Sequence, residues 1–147
     1  MKIQQVTENK RAYWELLFLA DEQAEMIERY LDSGEMYVLL DPEPVGECVV
    51  CVLEDGNVEL KNLAVLPEQQ GKGYGKALVE FVRERYKDRG SLLLVGTGDS
   101  PLTVPFYLKC GFREHHRVKN FFTDHYDHPM VEAGVLLKDM VYFCMEL

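Results

Sequence analysis

Gly71, Gly73 and Gly75 recur at every second position in Gln70-Gly71-Lys72-Gly73-Tyr74-Gly75, between the apolar run Leu63-Ala64-Val65-Leu66 and a stretch of helical periodicity. Glycine lets the backbone take positive φ and come close to a ligand. Such a bend at the start of a helix exposes several N–H groups, and the helix adds its unpaired first-turn donors and the positive end of its dipole. The chemistry it suits is the holding of a phosphate or pyrophosphate. Two well-known versions are excluded by the residues themselves. A P-loop needs Lys-Ser/Thr directly after the last glycine, and here Gly75 is followed by Lys76-Ala77. A nucleotide hydrolase would also need an acidic magnesium ligand after an apolar strand, and none follows. The dinucleotide fingerprint spaces its glycines differently and follows the first strand of a βαβ unit, whereas the strand here belongs to a hairpin.

Several other segments carry reactive side chains. Phe106-Tyr107-Leu108-Lys109-Cys110-Gly111-Phe112 follows the glycine bend after a further strand. Phe121-Phe122-Thr123-Asp124-His125-Tyr126-Asp127-His128-Pro129, with His115 and His116 upstream, mixes aromatics, carboxylates and imidazoles. Its spacing matches no zinc motif, so no metal is assigned to it. It reads as a long connection that either is structural or offers Phe122, Asp124 and Tyr126 to a cationic amine. Cys48 and Cys51 form a CxxC inside an apolar run without a second pair, which suits buried strand thiols better than a metal or redox site.

The elements that position these residues follow from periodicity. Lys2–Val6 reads as a strand, and 9–19 and 22–31 as helices with apolar faces. Met36–Leu40, Val45–Leu53 and Val58–Leu66 read as strands, the last two joined by the hairpin turn Glu54-Asp55-Gly56-Asn57. Lys72–Lys87 is the strongest helix, with Leu78, Phe81 and Val82 on one face and Arg89-Gly90 at its end. Leu92–Val95 is continuously apolar, as a buried parallel strand would be. A short helix capped by Ser100 or Thr103 ends at Gly111, and strands follow at Phe112–Val118 and near Met140–Leu147. The fold class is α/β, with antiparallel hairpins first and a βα unit in the middle.

Bulk properties narrow the function. The 147 residues suffice for one domain, 1–147. No apolar run approaches the ~20 residues of a membrane span, and no signal-peptide apolar region opens the chain, so a cytoplasmic location is expected. The net charge of −9 argues against nucleic acid and suits a cationic small molecule.

The bend and the later segment together resemble the GNAT family of N-acetyltransferases. That family's nucleotide motif, Arg/Gln-x-x-Gly-x-Gly/Ala, is met by Gln70, Gly73 and Gly75, and its Phe/Tyr-Tyr-x-x-x-Gly-Phe by Phe106, Tyr107, Gly111 and Phe112. The resemblance implies a mixed, mostly antiparallel sheet of about seven strands flanked by about four helices. It implies acetyl-CoA as co-substrate and direct transfer of the acetyl group to a primary amine of a small molecule or peptide in a ternary complex.

The resemblance also implies residue roles. Leu63, Ala64 and Val65 pair with the pantetheine arm. Gln70, Gly71, Lys72, Gly73, Tyr74, Gly75 and Lys76 hold the pyrophosphate. Ser100 stands where the family often has an asparagine. Tyr107 is the general acid, with Phe106 turned into the core: a phenol of pKa near ~10 can protonate a leaving thiolate whose conjugate acid is near ~8.5. Glu59, eleven residues before Gln70, is the strand glutamate that serves as base, directly or through water. The competing reading is an acyl-CoA-binding module without turnover. A homodimer through the last strand is the assembly this reading suggests.

Overall fold

The computed structural model describes residues 1–147, which form two compact units: Met1–Ser91 with Leu147, and Leu92–Glu146. The first unit holds β1 (Lys2–Val6), a 3-10 turn (Lys10–Tyr13), α1 (Trp14–Ala20), α2 (Ala24–Glu28), β2 (Glu35–Leu40), β3 (Pro44–Val52), β4 (Val58–Val65) and α3 (Tyr74–Tyr86). The second holds β5 (Leu92–Gly98), α4 (Val104–Lys109), β6 (Arg113–Val118), α5 (Phe121–His125), the hairpin β7 (Val131–Glu132) and β8 (Val135–Leu136), and β9 (Met140–Glu146). The main strands are the four of β1-β2-β3-β4 and the three of β5-β9-β6, seven as expected, and the strands within each unit pair antiparallel. Five helices are present, one more than expected.

The sheet of the first unit is covered on both faces. On one face Leu17 of α1 and Ile27 of α2 pack with Val6, Leu31, Met36, Val38 and Val49. Truncating a fully buried residue of this set, such as Leu17→Ala, removes about 2–5 kcal/mol of stability through lost transfer energy and the cavity left behind. On the other face Tyr37 of β2 meets Phe81 of α3 edge-on, ring centroids 5.0 Å apart. The Tyr37 and Tyr86 hydroxyls lie 2.8 Å apart, and Tyr86 in turn donates to Glu35 at 2.6 Å. These buried polar ends are therefore satisfied.

Local differences from the sequence expectation have physical causes. The expected helix over 9–19 opens as a 3-10 turn because Asn9 takes positive φ, so α1 starts only at Trp14. The helix read over 22–31 shrinks to Ala24–Glu28 before turns lead to β2. α3 starts at Tyr74, two residues late, because Gly73 sits in the left-handed region. The stretch 121–129 is not one long loop: it contains α5, and β7–β8 follows. Short amphipathic pieces of this length carry too little periodicity to read.

The last strand cannot pair between subunits. β9 lies between β5 and β6 with both edges bonded, so the expected dimer through it is corrected; the open edge of this sheet is β6, all of whose residues are exposed. β5 is buried as its apolar run requires, and its partner β9 runs antiparallel to it.

Gly90, just past α3, lies against the β3–β4 turn. A Cβ there would stand 2.3 Å from the carbonyl oxygen of Gly56. Gly90→Ala is expected to lower stability by about 1–3 kcal/mol, because backbone cannot yield as a side-chain tip can. Denaturant titration of the variant beside the parent measures it.

Candidate active site

The glycine bend is built by two residues of positive φ. Gly71 (φ +80) and Gly73 (φ +89) have open space where a Cβ would sit, so the requirement is conformational rather than steric. Gly75 lies inside α3. No side chain caps α3 at Gly73 and its first turn holds no acidic residue. The amides of Tyr74, Gly75 and Lys76 are thus the first-turn donors that no carbonyl of the helix can reach. Gln70 fixes the approach by donating its Nε2 to the Val65 carbonyl at 3.2 Å, tying the bend to the end of β4. Lys72 donates to the Gln69 side chain at 2.9 Å, and Lys76 is exposed. The Tyr74 hydroxyl donates to the Asp41 carboxylate, which holds Asp41 below the usual carboxylate range and raises the phenol. What Tyr74 offers a phosphate is therefore its backbone N–H.

β4 carries Glu59 and the proposed pantetheine segment. Leu63, Ala64 and Val65 pair with Cys48, Glu47 and Gly46 of β3 in regular register. Beyond Val49, which faces Asn62, the register slips: Val50 faces Leu60 and Cys51 faces Glu59, leaving Lys61 as an extra residue. A bulge of this kind reverses the alternation of side chains. Glu59 and Asn62, three apart, would point to opposite faces of a regular strand. Here both stand opposite residues, Cys51 and Val49, that pack into the α1–α2 cluster. The Glu59 side chain is 11% exposed and pairs with Lys61 Nζ at 3.2 Å. The bulge that presents Lys61 to Glu59 leaves no mark in the sequence pattern.

Asn62 is bound on one side only. Its Nδ2 donates to the Leu17 carbonyl at 3.1 Å and to the Tyr30 hydroxyl at 2.9 Å, and Tyr30 donates to Asp21 at 3.4 Å. Its Oδ1 is buried without a partner, as are both oxygens of Glu47 on β3. Glu47 is 0% exposed. Burial pushes its carboxyl well above the usual range; the Ala64 amide pulls the other way but does not reach hydrogen-bond geometry at either oxygen. Burial likewise raises the Tyr30 phenol, and the Glu47 charge adds to that shift. Sequence reasoning missed Glu47 entirely. A single glutamate in an apolar run, Val45-Gly46-Glu47-Cys48-Val49, was the available signal.

In the second unit Tyr107 is 7% exposed. Its ring meets Phe106 and Phe112 edge-on and stacks on Phe143 at a 6.3 Å centroid separation. Phe106, expected in the core, is the less buried of the pair, because α4 turns Tyr107 toward β9. Gly111 takes φ +103 and ends α4 as the sequence implied. Ser100 is buried and accepts from the Leu102 amide at 3.1 Å, while Thr103 contacts Thr97 at 2.8 Å, so neither caps the helix by side chain. Phe122 is buried beside Tyr126, its amide donating to the Lys138 carbonyl at 2.9 Å, and Asp124 is exposed. His116 stacks on Tyr142 and its Nδ1 lies 2.7 Å from that of His115.

An open donor-rich bend after a bulged strand of an antiparallel sheet is the arrangement of a domain that binds a phosphorylated carrier. The comparisons give that class its family. The model of the acetyltransferase (GNAT) domain matches residues 32–114. The uncharacterized N-acetyltransferase YvbK of Bacillus subtilis (strain 168) is 34% identical over 150 residues, spanning 100% of this chain and 97% of the relative. A GNAT family acetyltransferase from Elizabethkingia anophelis, solved with acetyl-CoA bound, superimposes with a TM-score of 0.93 at 36% identity, covering 99% of this chain and 97% of the other. A Bacillus subtilis acetyltransferase solved with CoA gives a TM-score of 0.90 at 33% identity, covering 99% and 98%. The chain belongs to the GNAT acetyltransferase family.

Two measurements check this account of the site. Gly73→Ala forces a side chain into positive φ, at a cost of about 1–3 kcal/mol, and should both lower the unfolding midpoint and weaken binding of CoA. The second concerns Glu47. Its carboxyl is raised in the fold, so the folded chain holds a proton that the unfolded chain releases. That stabilisation is complete below the ordinary carboxylate range and is lost as pH rises above it. Unfolding free energy should therefore fall as pH rises from the ordinary carboxylate range through the raised range of the folded carboxyl, and Glu47→Gln should flatten this slope and stabilise the chain relative to the parent at the upper end.

Proposed function

We propose that this chain transfers the acetyl group of acetyl-CoA to a primary amine of a small molecule or peptide, by direct attack in a ternary complex. The observation that carries the reading is the uncapped start of α3, where Gly71 and Gly73 take positive φ and the first-turn amides stand open. In this reading those amides, with Gln70 shaping the bend and Lys72 and Lys76 adding charge, hold the pyrophosphate. The backbone of Leu63–Val65 receives the pantetheine arm, and Ser100 adds a hydroxyl contact. Two relatives at 36% and 33% identity were solved with acetyl-CoA and CoA, which supports the same cofactor here.

Tyr107 is the proposed acid for the departing thiolate. Glu59 is the proposed base, accepting the amine proton directly or through water, with Lys61 as its ion-pair partner. Asp124 and Tyr126 on and beside α5, with Phe122 packed beneath, are offered to the acceptor. The whole chain acts as one acetyltransferase domain, in keeping with relatives that match over its full length. No helix is long and apolar enough to cross a membrane, and a cytoplasmic amine is the proposed acceptor.

Incubation with acetyl-CoA and a panel of amines should release free thiol and yield acetylated product by mass spectrometry. Tyr107→Phe should lower kcat by about 10²-fold or more with little change in the Kd for CoA, as expected for loss of a proton donor. CoA binding without thiol release above hydrolysis for any amine would favour a binding module instead.

A further inference from the structure

α5 has little of its own to hold it in place. It has five residues, too few for a helix that persists by its internal hydrogen bonds. Of these only Phe122 is buried, so apolar packing secures the helix at one point. Its N-cap residue, Asn120, takes φ +56 and gives no side-chain cap. The ties come instead from Lys138 and Asp139, the two residues ahead of β9. The Asn120 amide donates to Asp139 Oδ1 at 3.0 Å, and the Phe122 amide donates to the Lys138 carbonyl at 2.9 Å.

The second oxygen of Asp139 is engaged as well. Oδ2 lies 3.7 Å from Nη1 of Arg117 on β6. The same nitrogen donates to Asp99 Oδ2 at 2.9 Å, and Arg117 Nε donates to Glu114 at 3.1 Å. One guanidinium thus joins carboxylates from β6, from the residue after β5 and from the residue before β9. Each exposed ion pair stabilises little by itself. What the planar fork fixes is direction: with Oδ2 turned to Arg117, Oδ1 is aimed at the Asn120 amide. Asp124, exposed on α5, and Tyr126, half-buried just past it, depend on that anchor for their place. We propose that Asp139 is a positioning residue for the acceptor: its carboxylate, oriented by Arg117, holds the start of α5 and so fixes where Asp124 and Tyr126 meet the amine. This rests on the acetyltransferase reading and deepens it, naming the group that keeps the acceptor side in order.

The test is steady-state kinetics of the full chain with acetyl-CoA and putrescine, a diamine, beside hydrogen exchange of the α5 amides. Asp139→Ala should raise KM for the amine about tenfold or more, the loss expected for a hydrogen bond to a charged group, and leave KM for acetyl-CoA unchanged. The Asp124 and Tyr126 amides donate to the Asn120 and Phe122 carbonyls, and in this variant they should exchange about tenfold faster or more. Asp139→Asn keeps an oxygen for the Asn120 amide and should recover most of the amine KM, with Arg117→Gln falling between the two. An unchanged amine KM, an equal rise in KM for acetyl-CoA, or an Asn variant as impaired as the Ala variant would overturn the proposal. Should the parent give no turnover, the acetyltransferase reading falls on its own account, and the exchange rates still decide the role of Asp139: equal in parent and Ala variant, they overturn it.

Discussion

One extra residue in β4 determines which polar side chains share a sheet face. Lys61 interrupts the alternation between Leu60 and Asn62, so that Glu59 returns to the face already occupied by Asn62. Without the slip, Glu59 would point to the opposite face of the sheet from Asn62. With it, an otherwise apolar interface under α1 and α2 acquires a seam of Glu47, Asn62, Tyr30 and Glu59. The bulge also sets Lys61 beside Glu59, giving a mostly buried carboxylate an opposite charge.

The glycine bend solves a different problem with the same economy. A helix start normally satisfies its first amides with a side-chain cap. Here Gly73 provides none, and the positive φ at Gly71 and Gly73 directs the chain into α3 without one. Gln70 spends its amide on the Val65 carbonyl, which couples the bend to the strand end. The bend and the strand are thus positioned by one hydrogen bond and one helix rather than by a long loop.

Glu47 stands apart from this order. A fully buried carboxylate with no partner lowers the stability of the fold that contains it, since a proton must remain on it or a charge go unsolvated. Groups of this kind persist where the surrounding packing holds them, and they are frequent at functional sites. The apolar residues around it, with Leu17, Ile27 and Val38 at or near complete burial, supply the stability that Glu47 withholds.

Much was legible in the residues themselves. The seven main strands, the dominant helix, the bend and the Tyr107 segment follow from hydrophobic period and glycine placement, which are local properties. α5 and the β7–β8 hairpin were not legible, because five-residue and two-residue elements are fixed by their neighbours rather than by their own pattern. The relative burial of Phe106 and Tyr107 depended on how α4 is rotated, and the exclusion of β9 as a dimer edge depended on strand order. The sequence by itself determined the main strands, the dominant helix and the glycine bend, since these follow from hydrophobic period and backbone preference over a few neighbouring residues. Only the tertiary structure decided that Glu59, Asn62 and Glu47 meet one face and that three of their neighbouring acceptor atoms find no donor. Strand register joins residues distant in the chain, and nothing local encodes it.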